Sequence, residues 1–526
     1  MEKKPDSASG AASSLAMEKK PDLWYLRTEF RCWASLVLLC IGASFGQGPI
    51  MSFQILEPAM LDDGIFQCSA GATQESATRT LNTMFSMGIG ASTIPTLVIG
   101  LFFDAIGPRT LAVTSFIIAA LTFVVLGLAL QFPCSFGSGW LWMSILVFVV
   151  SNAQSFAIYA YMWILPGHPF AVSALVEAAY VLSDVYGTAA GYLHAGSGLH
   201  SYTFFYLMAG LTLVSTLPAL FLLPGREDFD AMREAVLETR RREQQQQQQQ
   251  QAQSGTSTAL SSGTKGGANE STPLKDGAVS KAADGVGGAV TAESKWRVQL
   301  RDAYILFVHT DTFGWAGVVM LTHVFVLYMQ QMTLTLEQYA YYESLFDRAT
   351  AVWLINTFGT IYACLAIPIC LAFGVFTDYV GPRVSLVLID LAALAFFAAA
   401  VFPEETMQLV AQVLLSGLCT LFYLLTPALG QRYAPPELFG TVYGAMSFFI
   451  GTGQVVLTPL GDALSAQISD DARFGFVLRL TFYTGLVAVL GVVNAVLWGR
   501  KPPPAAGSVS MDVVHAARAE LAVPWA

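Results

Sequence analysis

Two carboxylates lie seven positions apart in a run of otherwise apolar residues. Glu177 and Asp184 share one face of a helix about two turns apart, with Tyr180 between them. A carboxylate in apolar surroundings must be protonated, paired or turned toward a cavity. The two residues are therefore candidates to carry a proton or to bind a substrate ammonium group, with Tyr180 beside them. The alternative is a structural pairing with an arginine or tyrosine of a neighbouring helix.

Polar residues interrupt two other apolar runs in the first half of the chain. The glycine-rich stretch 42–49 can break a helix, and its backbone at Gln47 and Gly48 could then receive an α-amino or α-carboxylate group. Asn152 and Ser155 lie three residues apart and share a helical face. We expect these four residues to contact substrate. Close helix packing and hydrogen bonds between helices are the alternatives.

The second half contributes four more polar residues in apolar runs. We expect Asn356 and Tyr423 to contact substrate. His323 could titrate near neutral pH and is a candidate proton or charge site, although a lone histidine on an apolar face is more often held by structural bonds. Asp390 raises the same question, and we expect it to be structurally bonded or close to the headgroups.

The composition is that of a membrane protein. The chain is 54% apolar and 12% charged, whereas soluble domains have about 25% charged residues. Twelve apolar spans of membrane length can be marked between residues 31 and 497. We therefore predict an all-α membrane protein with twelve transmembrane helices in two six-helix halves. The sequence shows no phosphate-binding loop, nucleophile with a base or metal-ligand cluster, so we expect neither an enzyme nor a cofactor.

The polar segments divide the chain into five parts. We predict an N-terminal tail at 1–29, a six-helix bundle at 30–224, a linker at 225–300, a second bundle at 301–498 and a C-terminal tail at 499–526. The linker contains the glutamine tract Gln244–Gln251 and has the composition of a disordered segment, except that 227–243 can form a surface helix. All but four of the 27 basic residues lie in the tails, the linker and the loops on their side. This asymmetry places both termini and the linker in the cytoplasm.

One turn sequence occurs twice, 274 residues apart, each time between two apolar spans. The repeated positions are Gly100, Asp104, Gly107 and Arg109 in the first copy, and Gly374, Asp378, Gly381 and Arg383 in the second. A proline follows the second glycine in both copies, where the first turn of a helix accepts it. We call these segments the signature turns. They resemble the loop signature of the major facilitator superfamily, which occurs once in each six-helix half.

Two further motifs resemble a narrower group. They are Leu61–Cys68, in the loop after the first span, and the run Pro436–Gly444 that opens the eleventh. Together they are similar to the large neutral amino-acid facilitators of the forty-third solute carrier family and to the related apicomplexan amino-acid transporters. The resemblance implies an amino-acid carrier, and it implies that the signature-turn aspartates and arginines hold helices of opposite halves together. Ala105 and Tyr379 stand where the superfamily has a basic residue, so we expect a weaker charge network.

Two cysteines lie in loops that we place outside the cell. Cys68 follows the first span and Cys134 the third, and either a disulfide between them or two free thiols fits the sequence.

We expect a monomer that lies in the plasma membrane rather than in a vacuolar or lysosomal membrane. Its expected partners are the lipid bilayer and a small-molecule substrate, and we expect no binding to nucleic acid. Its expected activity is sodium-independent facilitated diffusion of neutral or cationic amino acids. The alternatives are a proton-coupled carrier of a nucleobase or sugar and a nutrient sensor that does not transport.

Overall fold

The computed structural model describes residues 28–47, 53–66, 92–165, 167–236, 295–309, 314–468, 472–500 and 509–521, with isolated positions at 77–88 and 238–249. Throughout these ranges the regular structure is helical, with no β-strand. Nine described helices are long and apolar enough to cross a membrane. The all-helical prediction is therefore confirmed.

Twelve main helices, numbered α1 to α12, follow the order of the predicted spans. Those of the first half are α1 (Glu29–Gly46), α2 (Thr96–Ile106), α3 (Pro108–Gln131), α4 (Ser144–Ile158), α5 (Pro169–Ser197) and α6 (Ser201–Val214, continued by Thr216–Leu222). Those of the second half are α7 (Gly314–Leu345), α8 (Arg348–Val380), α9 (Pro382–Val401), α10 (Glu405–Tyr433), α11 (Phe439–Ile468) and α12 (Ala472–Arg500). Longer helical segments outside these twelve include Phe53–Asp62, 226–236, Lys295–His309 and Met511–Leu521. Shorter ones include Pro133–Gly137, Ser138–Met143, Tyr161–Ile164 and Pro436–Leu438.

The signature turns have the same geometry in both halves. Gly107 and Gly381 have φ angles of 81° and 85°, in the region that favours glycine. Pro108 and Pro382 begin the next helices, α3 and α9. Each turn thus joins two antiparallel helices tightly, and we call the end of the molecule that carries both turns the turn end.

The two halves are joined mainly through two symmetry-related helix pairs. α2 packs on α11, and α5 packs on α8. Apolar residues fill these contacts: Phe439 and Tyr443 of α11 belong to the first half's core, while Phe170 and Ala174 of α5 belong to that of the second. The signature-turn aspartates and Glu177 lie along these two boundaries.

Candidate functional site at the boundary between the halves

The aspartate of the first signature turn binds the opposite half. Asp104 lies in the last turn of α2, and its buried carboxylate accepts hydrogen bonds from the backbone N–H groups of Gly440 (3.2 Å) and Thr441 (2.7 Å) and from the Thr441 hydroxyl (2.8 Å). These donors form the first turn of α11. The partial positive charge of a helix N-terminus favours a carboxylate there.

The aspartate of the second turn makes the mirror arrangement. Asp378 lies near the end of α8 and accepts hydrogen bonds from the backbone N–H groups of Phe170 (3.2 Å) and Ala171 (2.9 Å), in the first turn of α5. At the turn end, an aspartate of each half therefore caps the N-terminus of one helix of the other half: Asp104 caps α11, and Asp378 caps α5.

The arginines do not bridge the halves, contrary to what the resemblance implied. Arg109 Nε donates to the carbonyl of Leu223, at the end of the helical continuation of α6, over 2.8 Å. Arg383 Nη2 donates to the carbonyl of Ala495 in α12 over 3.1 Å. Each arginine sits just after its turn, so it reaches carbonyl groups near the end of the last helix of its own half.

The charge network at Asp104 is completed by a residue that the sequence did not single out. Arg233, in the helical segment 226–236, places Nη2 3.2 Å from Oδ1 of Asp104. Arg226 of the same segment donates to the carbonyl of Ala105. The linker thus supplies a basic side chain at this turn, where the motif itself has Ala105.

The first glycine of each signature turn permits the close approach of the halves. A Cβ on Gly100 would lie 2.0 Å from the carbonyl oxygen of Gly440. A Cβ on Gly374 would lie 2.5 Å from the Cβ of Ala174 and 2.8 Å from the carbonyl oxygen of Phe170. Any side chain at these two positions would separate the helices.

Glu177 lies on the boundary, about two helical turns from the capped end of α5. Its Oε1 accepts a 2.6 Å hydrogen bond from the hydroxyl of Tyr159, which follows α4. Tyr443 of α11 packs against the Tyr159 ring, with centroids 5.5 Å apart, and interacts electrostatically with Glu177. No Lys, Arg or His in the described part of the chain lies within ion-pair distance of this buried carboxylate.

Asp184 lies further along the same face, as the sequence predicts. It is 2% exposed and interacts electrostatically with Tyr180 of its own helix and with Tyr362 of α8. The carboxylates and Tyr180 therefore face the other half rather than a surface. Tyr362 was not singled out from the sequence, because one tyrosine in an apolar span carries no distinguishing signal.

A second polar group surrounds the end of α1. Gln47 Nε2 donates to the hydroxyl of Ser155 in α4 over 3.1 Å. Gln154 is fully buried beside it, and neither polar atom of its amide has a hydrogen-bond partner among the residues that the structure describes. Gly46 leaves room for that amide, since a Cβ there would lie 2.5 Å from Gln154 Nε2. Gln154 is thus the residue of α4 with unused hydrogen-bonding groups.

The other predicted substrate contacts are more dispersed. Asn152 Nδ2 donates to the carbonyl of Ser92 over 2.7 Å, which is the bond between helices foreseen as the alternative. Asn356 lies on an exposed part of α8. Gly48 lies outside the described residues and Tyr423 outside the described side chains.

His323 lies within the second half, away from the boundary. The fully buried ring places Nε2 2.9 Å from Oδ1 of Asp390 in α9 and Nδ1 2.9 Å from Nδ2 of Asn494 in α12. Gly491 of α12 makes room for the pair, because a Cβ there would lie 2.6 Å from Asp390 Oδ2. His323 and Asp390 therefore join α7, α9 and α12.

Cys134 is disulfide-bonded, and Cys32, Cys40, Cys364, Cys370 and Cys419 are free thiols. Cys68 lies outside the described residues, so its pairing with Cys134 stays a prediction.

The comparisons with known proteins agree with this architecture. A profile of the Major Facilitator Superfamily matches residues 33–458. The proton:xylose symporter XylE bound to 6-bromo-6-deoxy-D-glucose has a similar structure, with a TM-score of 0.54 and 12% identity over 92% of this chain and 98% of that one. The human organic anion transporter MFSD10 (TETRAN) has a TM-score of 0.53 and 12% identity over 88% and 99% of the two chains. No curated protein sequence matches the chain significantly. The profile match covers most of the chain, which therefore belongs to the major facilitator superfamily of membrane transporters.

Proposed function

We propose that this transporter carries amino acids, neutral or cationic, by alternating access and without sodium. The observation that carries the proposal is Glu177, a buried carboxylate between the halves with no cationic partner within ion-pair distance in the described part of the chain. A buried carboxylate requires a compensating charge or a proton. The ammonium group of an amino acid supplies that charge and can form a charge-assisted hydrogen bond.

The polar groups along the boundary support a substrate with several hydrogen-bonding groups. Asp184 offers a second carboxylate on the face of Glu177. Within the described ranges, the amide of Gln154 has both a donor and an acceptor without a partner, and these can receive the carboxylate or the amine of a zwitterion. The motifs shared with amino-acid facilitators point to the same substrate class.

A second candidate is proton-coupled transport of a nucleobase or sugar. A proton bound to Glu177 would neutralise the buried carboxylate, just as a substrate ammonium group would compensate its charge. One similar structure is that of a proton:xylose symporter, which makes this coupling worth testing here.

Uptake into proteoliposomes separates the two candidates. The purified protein would be tested with radiolabelled leucine, arginine, uracil and xylose, with and without sodium and with and without a pH gradient. We expect saturable amino-acid uptake that reaches equilibrium and ignores both gradients. Accumulation driven by the pH gradient would support the second candidate, and uptake of uracil or xylose alone would contradict the first.

We also propose that both termini and the linker face the cytoplasm at the plasma membrane, and that the protein is a monomer. The distribution of basic residues supports this orientation. Terminal epitope tags should then bind antibody only after the plasma membrane of intact cells is permeabilised.

A further inference from the structure

The segment 226–236, which we call the linker helix, follows the first half directly and lies at the turn end. The preceding helix ends at Leu222, and the linker helix starts at Arg226. Arg226 bonds to the carbonyl of Ala105 at the end of α2. The linker helix is thus held against the first signature turn before the chain enters the glutamine tract.

Arg233 is the residue of this helix that reaches the boundary between the halves. Its side chain is 6% exposed, and its guanidinium lies 4.3 Å from the centroid of Phe229 and 5.9 Å from that of Phe103. The Phe103 ring in turn lies 6.0 Å from Phe439 of α11. Arg233 therefore ends in an aromatic cluster to which both halves contribute.

The second half helps to bury the ion pair between Arg233 and Asp104. Asp104 is enclosed by Gly440 and Thr441 of the second half. Removing one partner of a buried ion pair leaves an uncompensated charge, which is strongly destabilising, whereas an exposed pair contributes little. Loss of Arg233 would therefore destabilise the state closed at the turn end more than a state in which water reaches Asp104.

The second signature turn lacks a close ion pair, although Arg432 and His168 interact electrostatically with Asp378. Within the described part of the chain, Asp378 has no ion-pair partner within 4.0 Å; its bonds are to Phe170 and Ala171. Arg432 belongs to α10, and its guanidinium lies 5.4 Å from the centroid of Phe170. The linker therefore supplies a basic residue to the first turn, whereas the basic residue near the second turn comes from a helix of the second half.

We infer that Arg233 is a gating residue: by pairing with Asp104 it stabilises the state closed at the turn end, and docking of the linker helix thereby sets the balance between the states of the transport cycle. Arg233 acts through Asp104 and touches no substrate, so it is a positioning residue. The inference does not depend on which solute is carried.

Distances between spin labels on the two signature turns test this inference directly. The labels would be placed in the full-length protein in liposomes at Ile106→Cys and Tyr379→Cys, two exposed residues at the ends of α2 and α8, with the exposed Cys364 replaced by Ser. We expect one short distance in the otherwise unchanged protein. Arg233→Ala should raise the ratio of long to short distances about tenfold, which corresponds to about 1.4 kcal/mol.

Three further variants keep the test falsifiable. Most molecules of Arg233→Lys should still show the short distance, because lysine keeps the positive charge. Arg242→Ala, which removes an exposed linker arginine paired with Glu238, should leave the distances unchanged. In an Asp104→Asn background, Arg233→Ala should have no additional effect.

Two results would overturn the inference. One is an unchanged distance distribution in a folded Arg233→Ala protein. The other is an equal effect of Arg233→Ala with and without Asp104→Asn, which would show that Arg233 does not act through that carboxylate. If Arg233→Ala does not fold, Arg233→Gln, which also removes the charge, gives the same comparison in the two backgrounds. A shift to long distances in Arg233→Lys would also count against an electrostatic role.

Discussion

The hydroxyl of Tyr159 donates a 2.6 Å hydrogen bond to Oε1 of Glu177, at the boundary between the two halves. The bond orients the carboxylate without neutralising it. The carboxylate that we propose as the site of the substrate ammonium group or of a proton is thus held in place by the residue that follows α4 in the same half.

Substitutions of Glu177 and Tyr159 should raise the KM for uptake to different extents. Glu177→Gln should raise the KM for amino acids about 10- to 100-fold, the loss expected for one charge-assisted hydrogen bond. Tyr159→Phe should raise it less, about 3- to 10-fold, because it removes only a positioning bond. Glu405→Gln, at the exposed start of α10, is the matched control and should leave the KM unchanged. An unchanged KM in Glu177→Gln would contradict ammonium binding there.

Two glycines should control how closely the halves approach. Gly100→Ala and Gly374→Ala each place a methyl group within 2.5 Å of the opposite half. Both should increase the fraction of molecules that show the long distance between the labelled signature turns. Gly210→Ala and Gly485→Ala add the same methyl group in α6 and α12 with nothing within 4 Å. These controls should leave the distances unchanged. Equal behaviour of all four variants would show that close approach at the signature turns is not required.

His323 and Asp390 should contribute to stability and not to substrate selectivity. Asp390→Ala leaves the fully buried His323 without this partner, and we expect a loss of about 3 kcal/mol in unfolding free energy with a KM changed less than about twofold. His515→Ala, at an exposed position of Met511–Leu521, is the control. An altered pH profile of uptake in Asp390→Ala, without loss of stability, would instead make the pair a proton site.

The disulfide of Cys134 can be assigned by peptide mapping under non-reducing conditions. We expect one linked peptide pair that joins Cys134 to Cys68 and is lost on reduction. Cys68→Ser, Cys134→Ser and the double substitution should then lower the melting temperature equally, since each removes the same bond. Unequal effects would indicate another partner.

Much of the fold could be predicted from local features of the sequence. Apolar length determined the helices, and the repeated spacing from Gly100 and Gly374 predicted two equivalent turns before any contact was known. The positions of Glu177 and Asp184 on one helical face followed from periodicity alone. These properties depend on residues close together in the chain, so no tertiary information was needed.

The partners of each polar residue could not be predicted in this way. Asn152 and Ser155 share a face of α4, yet one bonds to Ser92 and the other to Gln47, because different neighbouring helices lie on the two sides. Gln154 directly precedes Ser155, yet both polar atoms of its amide lack a hydrogen-bond partner in the part of the chain that the structure describes. Periodicity identifies a face but not the helix that covers it.

The sequence by itself determined that this chain is a two-half membrane protein and which turns join its helices, because hydrophobic length and repeat spacing are properties of the chain alone. The expectation of a transporter came from the resemblance of the signature turns to those of the major facilitator superfamily. Only the tertiary structure decided that the aspartates cap helices of the opposite half, that the arginines stay within their own half, and that Arg233 of the linker reaches Asp104. These contacts join residues more than a hundred positions apart, and their energies depend on burial between packed helices, which exists only once both halves have assembled.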